Sequence, residues 1–263
     1  MKKNWAEEIV AVTEGKSRWC VINQDNADVL PFFVDRSVAH VITDPPYDEK
    51  THAGARTTDA KGKSKAIDIN FAPVHCYDFA PQLLRISAGW VLAFSALEQL
   101  GDYKRAAAEA WVRAGIWDRP DGTPQLTGDR PGQAAEGIAI MRGTKPLAWN
   151  GHGKRGMWRC PVERTERFHP TPKPVALMLE LVQDFTKPGD VILDPFCGSG
   201  TTGIAALRLG RRFVGIEQDP KYAKIAHRRL AAEEEGLPMG DPNSNQGALF
   251  DALSPRRASG GKR

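Results

Sequence analysis

Residues 191–203 read Val191-Ile-Leu-Asp-Pro-Phe-Cys-Gly-Ser-Gly-Thr-Thr-Gly203, and this stretch decides the fold. The continuous apolar run at its start predicts a strand that is covered on both faces, and a helical pattern follows the glycines. Glu217 stands at the end of the next predicted strand. A strand, a glycine-rich turn, a helix and then an acidic residue are typical of α/β units that bind nucleotide-like cofactors.

Short apolar runs alternate with helical patterns along the rest of the chain. This alternation predicts an α/β fold with a doubly wound, mostly parallel sheet. The predicted strands are Trp19–Ile22, His40–Thr43, Trp90–Ser95, Gly137–Met141, Val191–Asp194 and Arg212–Glu217. The predicted helices are Pro81–Ser87, Glu98–Ala114, Pro174–Thr186, Thr201–Leu209 and Pro220–Glu235.

The composition of the chain excludes several classes of protein. Its 263 residues are 41% hydrophobic and 26% charged, as in an ordinary globular domain. We find no apolar run near the roughly 18 residues of a membrane span and no secretory signal. The four cysteines lie far apart, so we expect no disulfide framework and no metal site. We therefore expect a cytoplasmic protein, whose net charge of +4 permits a nucleic-acid partner without demanding one.

Most of the chain, residues 1–235, is predicted to form one domain, followed by a polar tail. Residues 236–263 carry too few apolar side chains to pack, which predicts a disordered tail. Within the domain, residues 48–70 are predicted to form a polar, mobile loop, of a length typical of functional lids or of disordered segments.

A second irregular segment, residues 142–168, is basic and aromatic. It holds seven basic residues against two acids, interleaved with Trp149, Trp158 and Phe168. Such a segment suits contact with phosphates and stacking on bases, which makes it a candidate for DNA recognition. The alternative is a solvated basic insertion on the surface.

The glycine turn alone leaves the cofactor open, and a nicotinamide dinucleotide or a tight turn without a ligand are alternatives. Asp194 separates the cases because it places a carboxylate at the end of the strand. That charge would repel a pyrophosphate, whereas it could pair with an ammonium group. A ligand with an α-amino group, such as S-adenosylmethionine, fits it better.

A second motif, Asp44-Pro45-Pro46-Tyr47, directly follows the predicted strand His40–Thr43. The two prolines stiffen a turn at the carboxyl end of a strand, where open α/β sheets bind their ligands. The Asp44 carboxylate and the Pro45 carbonyl could accept hydrogen bonds from an amino group, and Tyr47 offers a face for a ring. This arrangement suits methyl transfer to a base amine by positioning and electrostatics. An ordinary proline-rich turn is the alternative.

With these two motifs in this order, the chain resembles the beta class of amino DNA methyltransferases, which modify adenine N6 or cytosine N4. The segment His169-Pro-Thr-Pro-Lys-Pro174 also resembles the family, although Pro172 stands where glutamine is usual. Upstream, the stretch ending near Asp25 matches too, with Gln24 in place of a common glycine. The resemblance implies a Rossmann-like methyltransferase fold with a small basic DNA-recognition insertion.

The resemblance also implies a role for individual residues. Asp44, Pro45, Pro46 and Tyr47 would hold and stack the target base. Asp194 would take the methionine amino group of S-adenosylmethionine, and Glu217 its ribose hydroxyls. The other cofactor-binding residues it implies are Asp25 and Phe196 near the adenine, Thr171 and Lys173 near the carboxylate, and Cys197, Gly198, Ser199, Gly200, Thr201 and Thr202 along the turn.

We therefore expect an S-adenosylmethionine-dependent methyltransferase that acts on adenine N6 of double-stranded DNA. Because Asp44 stands where serine is commoner among cytosine N4 enzymes, the resemblance favours adenine. The target base would flip out of the duplex at a cost on the order of a few kcal/mol. Beta-class relatives imply a homodimer and a restriction–modification setting. The alternatives are cytosine N4 methylation, methylation of an amide or RNA amine, and a catalytically idle DNA-binding module.

Overall fold

One sheet of eight strands forms the centre of the molecule. The structure is a computed structural model and describes residues 5–47, 56–58, 64–66, 75–122, 131–143, 147, 149–162 and 173–237. The sheet contains β1 (Trp19–Ile22), β2 (His40–Thr43), β5 (Trp90–Ser95), β6 (Trp111–Asp118), β7 (Ala135–Arg142), β8 (Met157–Arg159), β9 (Val191–Asp194) and β10 (Arg212–Ile216). A separate antiparallel pair is formed by β3 (Arg56–Thr58) and β4 (Ser64–Ala66).

The strand order of the large sheet is β1-β10-β9-β2-β5-β7-β6-β8. The five strands from β1 to β5 in this order are parallel, β7 is antiparallel to both of its neighbours, and β8 is parallel to β6. The predicted α/β fold with a mostly parallel sheet is therefore confirmed.

Helices cover both faces of this sheet. They are α1 (Trp5–Thr13), α2 (Asn26–Val29), α3 (Cys76–Ile86), α4 (Leu100–Ala107), α5 (Val175–Phe185), α6 (Thr201–Arg208) and α7 (Pro220–Glu234).

Alternate residues of each parallel strand enter two separate cores, which is the signature of a doubly wound sheet. Ile42 and Leu92 pack with Leu181 and Ile204 in one core, which lies under α5, α6 and α7. Their neighbours in sequence enter the other core, under α1, α3 and α4. All four strand residues of β2 are buried, as a strand covered on both faces requires.

The predicted helix Glu98–Ala114 is wrong in its second half. Helix α4 ends at Ala107, Ala108 has a positive φ of 47°, and a short 3-10 turn follows. From Trp111 the chain is β6, which pairs with β7 along seven partners. The alanines favour a helix locally, but pairing in the sheet overrides this weak preference. The predicted strands Gly137–Met141 and Arg212–Glu217 are confirmed with small changes at their ends.

Part of the basic segment 142–168 is a strand of the sheet rather than a surface insertion. Its residues 157–159 form β8, and Trp158 is 1% exposed. Trp158 Nε1 donates to Asp184 Oδ2 over 2.8 Å, and Lys154 Nζ reaches Glu180 Oε1 and Asp184 Oδ2 over 2.6 and 2.7 Å. Stacking of bases on Trp158 is therefore a wrong prediction, because its ring fills the core.

Several predictions fall on residues outside the described part of the chain. They concern Thr171, Phe168, the tail from residue 238 onward, and the loop 48–70 apart from its two strands. The basic side chains of the described part that remain exposed in segment 142–168 are Arg155 and Arg159.

Candidate active site

The carboxyl ends of five neighbouring parallel strands create the site. Asp194 is the last residue of β9, Asp44 follows β2, and Glu217 follows β10. Because β9 lies between β10 and β2, these three carboxylates stand side by side along one edge of the sheet. This edge is where open α/β sheets bind their ligands. The structure thus brings together the two motifs that the sequence separates by about 150 residues.

A buried hydrogen bond joins the two motifs. Thr43 Oγ1 donates to Asp194 Oδ1 over 2.8 Å, and Thr43 is 0% exposed. The Phe196 amide donates to the same oxygen over 3.1 Å, and Thr202 Oγ1 donates to Asp194 Oδ2 over 2.6 Å. Burial raises the pKa of Asp194 to about 7, although the two hydroxyls oppose the shift. Both oxygens of Asp194 thus already bind groups of the protein, and its contact with a methionine amino group stays a prediction.

The tetrapeptide motif lies in a cluster of charges. Lys173 Nζ is 2.6 Å from Asp44 Oδ2 and 3.1 Å from Glu136 Oε2. Tyr47 Oη is 2.8 Å from Glu136 Oε2 and 3.2 Å from Asp44 Oδ1. The Asp44 side chain is 31% exposed, whereas that of Lys173 is 11% exposed. An incoming amino group could reach Asp44 from the solvent side while the lysine holds it from within.

Sequence reasoning did not assign a role to Glu136. Since β7 runs antiparallel to β5, its first residues reach the edge at which the parallel strands end, and Gly137 pairs with Ser95 there. Arg119 Nη1 lies 3.0 Å from Glu136 Oε1 and completes the cluster. Only the direction of β7 reveals that this glutamate belongs to the site, and a direction is hard to read from a short apolar run.

The charges in the cluster shift one another's pKa. Burial raises the pKa of Asp44, and Glu136 adds to the rise, whereas Lys173 opposes it. Burial would also raise the pKa of Glu136, but Lys173 and Arg119 outweigh it, so this pKa is lowered. Burial would lower the pKa of Lys173, but its two carboxylate partners raise it. Lys173 therefore remains an ammonium ion.

The glycine turn is held from below by helix α7. Gly198 and Gly200 have φ values of 51° and 84°, which favour glycine, and a Cβ on Gly200 would meet Ala226 at 3.1 Å. Arg229 Nη1 donates to the Ser199 carbonyl over 2.7 Å and to the Ser199 hydroxyl over 3.0 Å. Four side chains of the turn are buried, those of Cys197, Ser199, Thr201 and Thr202, and their contact with a cofactor stays a prediction.

Glu217 and Asp25 lie at the ends of the two neighbouring strands. Glu217 Oε2 accepts from the Gly198 amide and Oε1 from the Asp219 amide, both over 2.9 Å. Burial raises the pKa of Glu217 against these hydrogen bonds. Asp25 caps α2 through the Ala27 amide, and Phe196 packs edge-on against Phe79 with ring centroids 5.2 Å apart.

The residues of this edge fit S-adenosylmethionine chemically. The cofactor presents an ammonium group and two ribose hydroxyls, which are donors, and the edge presents the carboxylates of Asp194, Glu217 and Asp25. The positive φ values of Gly198 and Gly200 allow the tight turn of the backbone between β9 and α6. Lys173 is the predicted partner of the cofactor carboxylate, and this contact stays a prediction because the ammonium already lies between two carboxylates.

In the described ranges, no group of three or more His, Cys, Asp or Glu side chains could hold a metal ion. Among the helices of those same ranges, none is long and apolar enough to cross a membrane.

Known proteins are similar to this chain in sequence and in fold. The family described as DNA methylase matches residues 109–228, which include the glycine turn. The Type II methyltransferase M2.DpnII of Streptococcus pneumoniae is 55% identical over 74 residues, so the match spans only 28% of that protein and 28% of this chain.

Solved methyltransferase structures match more of the chain. The M1.HpyAVI–SAM complex superposes with a TM-score of 0.62 at 23% identity, covering 81% of this chain and all of that one. The cytosine-N4-specific PvuII DNA methyltransferase superposes with a TM-score of 0.66 at 16% identity, covering 89% of this chain and 91% of that one.

Fold and site together define an S-adenosylmethionine-dependent methyltransferase. Within that class, the match to the DNA methylase family model and the likeness to M2.DpnII support an amino DNA methyltransferase.

Proposed function

We propose that this enzyme methylates the N6 amino group of an adenine that is flipped out of duplex DNA. One observation carries the proposal: the Thr43–Asp194 hydrogen bond sets the Asp44–Tyr47 turn directly beside the glycine turn. An amine held by the first turn then lies next to a methyl donor bound at the second. The carboxylate of Asp44 faces partly to solvent, so that a base can reach it.

The chemistry needs a better nucleophile than a base amine in solution, because the lone pair of that amine is delocalised into the ring. When bound, S-adenosylmethionine supplies a methyl group on a sulfonium sulfur. Asp44 and the Pro45 carbonyl accept the two N–H groups, which favours a pyramidal nitrogen that points its lone pair at the methyl carbon. The transferred methyl group would replace one hydrogen of the amine, and Asp44, whose carboxylate accepts an N–H of that amine, would take the proton.

Tyr47 would stack on the flipped base. Its hydroxyl is tied to Glu136 and Asp44, which fixes the ring before the base arrives. Burial and the two carboxylates raise the pKa of Tyr47 well above its usual value, so the phenol stays protonated. Stacking of the base on the Tyr47 ring offsets part of the free energy that is lost when the base leaves the duplex.

Adenine is favoured over cytosine because Asp44 stands where the family's cytosine enzymes more often carry serine. Cytosine N4 is the second candidate, since Asp44 and Pro45 would grip either amine in the same way. The same fold occurs in the cytosine-N4-specific PvuII enzyme.

The remaining predictions concern the cofactor and the wider assembly. We propose that Glu217 binds the ribose, Asp25 and Phe196 lie near the adenine, and Asp194 and Thr171 lie near the methionine end. Double-stranded DNA is the proposed substrate, with the exposed Arg155 and Arg159 as candidates for phosphate contact. A homodimer, a cytoplasmic location and a restriction–modification setting stay predictions of the family resemblance.

The experiment is a nucleoside analysis. The purified protein is incubated with S-adenosylmethionine and mixed-sequence duplex DNA, and the DNA is digested and examined by mass spectrometry. We expect N6-methyladenine. N4-methylcytosine would overturn the choice of base, and the absence of any methylated nucleoside would overturn the proposed function.

Asp44→Ala is the matched variant for this assay. We expect it to lose methyl transfer while titration calorimetry shows that it still binds S-adenosylmethionine, because Asp44 holds the substrate rather than the cofactor. Activity within a few-fold of the wild-type value would contradict the role of Asp44. Loss of cofactor binding would show that the substitution damages the whole edge.

A further inference from the structure

One ammonium ion lies between two carboxylates at the tetrapeptide. Lys173 Nζ is 2.6 Å from Asp44 Oδ2 and 3.1 Å from Glu136 Oε2, and Tyr47 Oη lies 3.4 Å away. These three acceptors match the three N–H donors of a lysine. The proposed catalytic carboxylate is therefore held by a charge from another part of the chain.

We infer that Lys173 and Glu136 are positioning residues for methyl transfer: Lys173 holds Asp44 as an oriented carboxylate, and Glu136 holds Lys173 and Tyr47. This inference rests on the proposed function, since it assigns a task to groups behind Asp44. It differs from the predicted contact of Lys173 with the cofactor carboxylate.

The geometry shows why Asp44 needs a partner on its inner side. Its carboxylate binds the amine only if it stays ionised and keeps its orientation, and a carboxylate at a partly buried edge tends to take up a proton. Lys173 opposes that protonation and binds Oδ2 over 2.6 Å. The incoming amine would bind Oδ1, which accepts a longer hydrogen bond of 3.2 Å from the Tyr47 hydroxyl.

The aromatic surroundings keep the ammonium of Lys173 in place. Its Nζ lies 4.9 Å from the ring centroid of Phe94 and 5.6 Å from those of Tyr47 and Trp117. Aromatic faces attract a cation without accepting its proton. Ring faces and carboxylates therefore surround the ammonium of Lys173 at the point where it contacts Asp44.

Glu136 links the lysine to the stacking ring. Its Oε2 accepts from Tyr47 and faces Lys173, and its Oε1 pairs with Arg119. Removing its charge while keeping its shape should leave Tyr47 bonded but remove a negative charge that now repels the charge on Asp44.

The two substitutions should act on Asp44 in opposite directions. The charged or titratable groups that face Asp44 are Lys173, Glu136, Tyr47, Tyr103 from α4 and Asp194 from β9. Lys173 favours the ionised form of Asp44 and Glu136 disfavours it. Activity that needs the carboxylate ionised is lost as the pH falls through its pKa.

The experiment measures single-turnover methylation of DNA at saturating cofactor between pH 5 and pH 9. The acid limb is the part of the pH profile in which activity is lost as the pH falls. In Lys173→Met we expect the midpoint of this limb to rise by about 1–3 pH units, the range for loss of a neighbouring opposite charge. In Glu136→Gln we expect it to move down by about one unit. Lys173→Arg should keep the limb near its wild-type position, and Lys104→Met, at an exposed lysine of α4, serves as the control.

Opposite shifts in the two variants support the inference, because a purely structural role would lower activity at every pH alike. If Lys173→Met does not fold, the downward shift in Glu136→Gln decides the question alone. If the Glu136→Gln enzyme is active and the acid limb of its pH profile lies at the wild-type position, the inference is overturned, whereas the proposed function still holds. If the wild-type protein methylates no DNA, the proposed function itself has failed.

Discussion

The hydroxyl of Thr43 offers a direct measure of how firmly the two motifs are joined. Thr43→Val keeps the shape of the side chain and removes the donor that lies 2.8 Å from Asp194 Oδ1. Both residues are buried, so water cannot replace the lost hydrogen bond. A hydrogen bond to a charged group contributes about 1.5–3 kcal/mol and one to a neutral group about 0.5–1.5 kcal/mol.

The pKa of Asp194 makes this penalty depend on pH. Burial raises that pKa from 3.8 to about 7, so the group is mostly protonated at pH 5.5 and mostly ionised at pH 8.5. Because the folded pKa is the higher one, the contribution of Asp194 to stability decreases as the pH rises from about 4 to about 7. Thr43→Val should therefore cost about 1 kcal/mol at pH 5.5 and about 2 kcal/mol at pH 8.5.

Urea denaturation at the two pH values measures the free energy of unfolding. In a chain of this size, 1 kcal/mol corresponds to about 2–4 °C in Tm, so thermal unfolding gives a second readout. Thr43→Ser is the control, since it keeps the hydroxyl and loses a methyl group, at about 1 kcal/mol irrespective of pH. A penalty for Thr43→Val that does not increase with pH would refute the reasoning.

Two further predictions concern the cofactor turn and the anchored basic segment. Glu217→Gln keeps the size of the side chain, but the amide can no longer accept hydrogen bonds from both the Gly198 and the Asp219 backbone amides. The binding free energy of the cofactor should therefore weaken by about 1–3 kcal/mol. An unchanged affinity in titration calorimetry would contradict this. Lys154→Met removes the cation between Glu180 and Asp184. Because the Lys154 side chain is 29% exposed, the free energy of unfolding should fall by about 1–2 kcal/mol, a value between those of surface and buried salt bridges. Arg155→Met, at the exposed neighbour, should change the free energy of unfolding by less than about 0.5 kcal/mol, and equal effects of the two substitutions in urea would count against the anchor.

Sequence could predict the parts of the fold in which local pattern and final structure agree. The runs Val191–Asp194 and His40–Thr43 are buried on both faces, so their apolar character marks them as strands. The motifs that follow them are short and continuous, and their position at strand ends predicts their meeting at one edge.

The remaining parts depend on contacts between distant segments. Trp111–Asp118 is a strand because β7 pairs with it, although the alanines before it favour a helix. Glu136 enters the site because β7 runs antiparallel, and Trp158 is buried because β8 joins the sheet. Composition shows that segment 142–168 is basic, but it does not show that Lys154 and Trp158 bind carboxylates of α5.

The position of β9 in the sheet has a consequence for how the chain folds during synthesis. Among the strands of the described residues, β9 and β10 come last in the sequence, yet they fill the gap between β1 and β2. Until β10 has been synthesised, β1 lacks its hydrogen-bonded partner strand, and until β9 has been synthesised, one side of β2 is unpaired. Pairing over 150 residues is slow, and open strand edges invite association with other chains. Nascent chains that stop before residue 191 should therefore need chaperones, and the methyl-transfer edge can form only after β10 has left the ribosome.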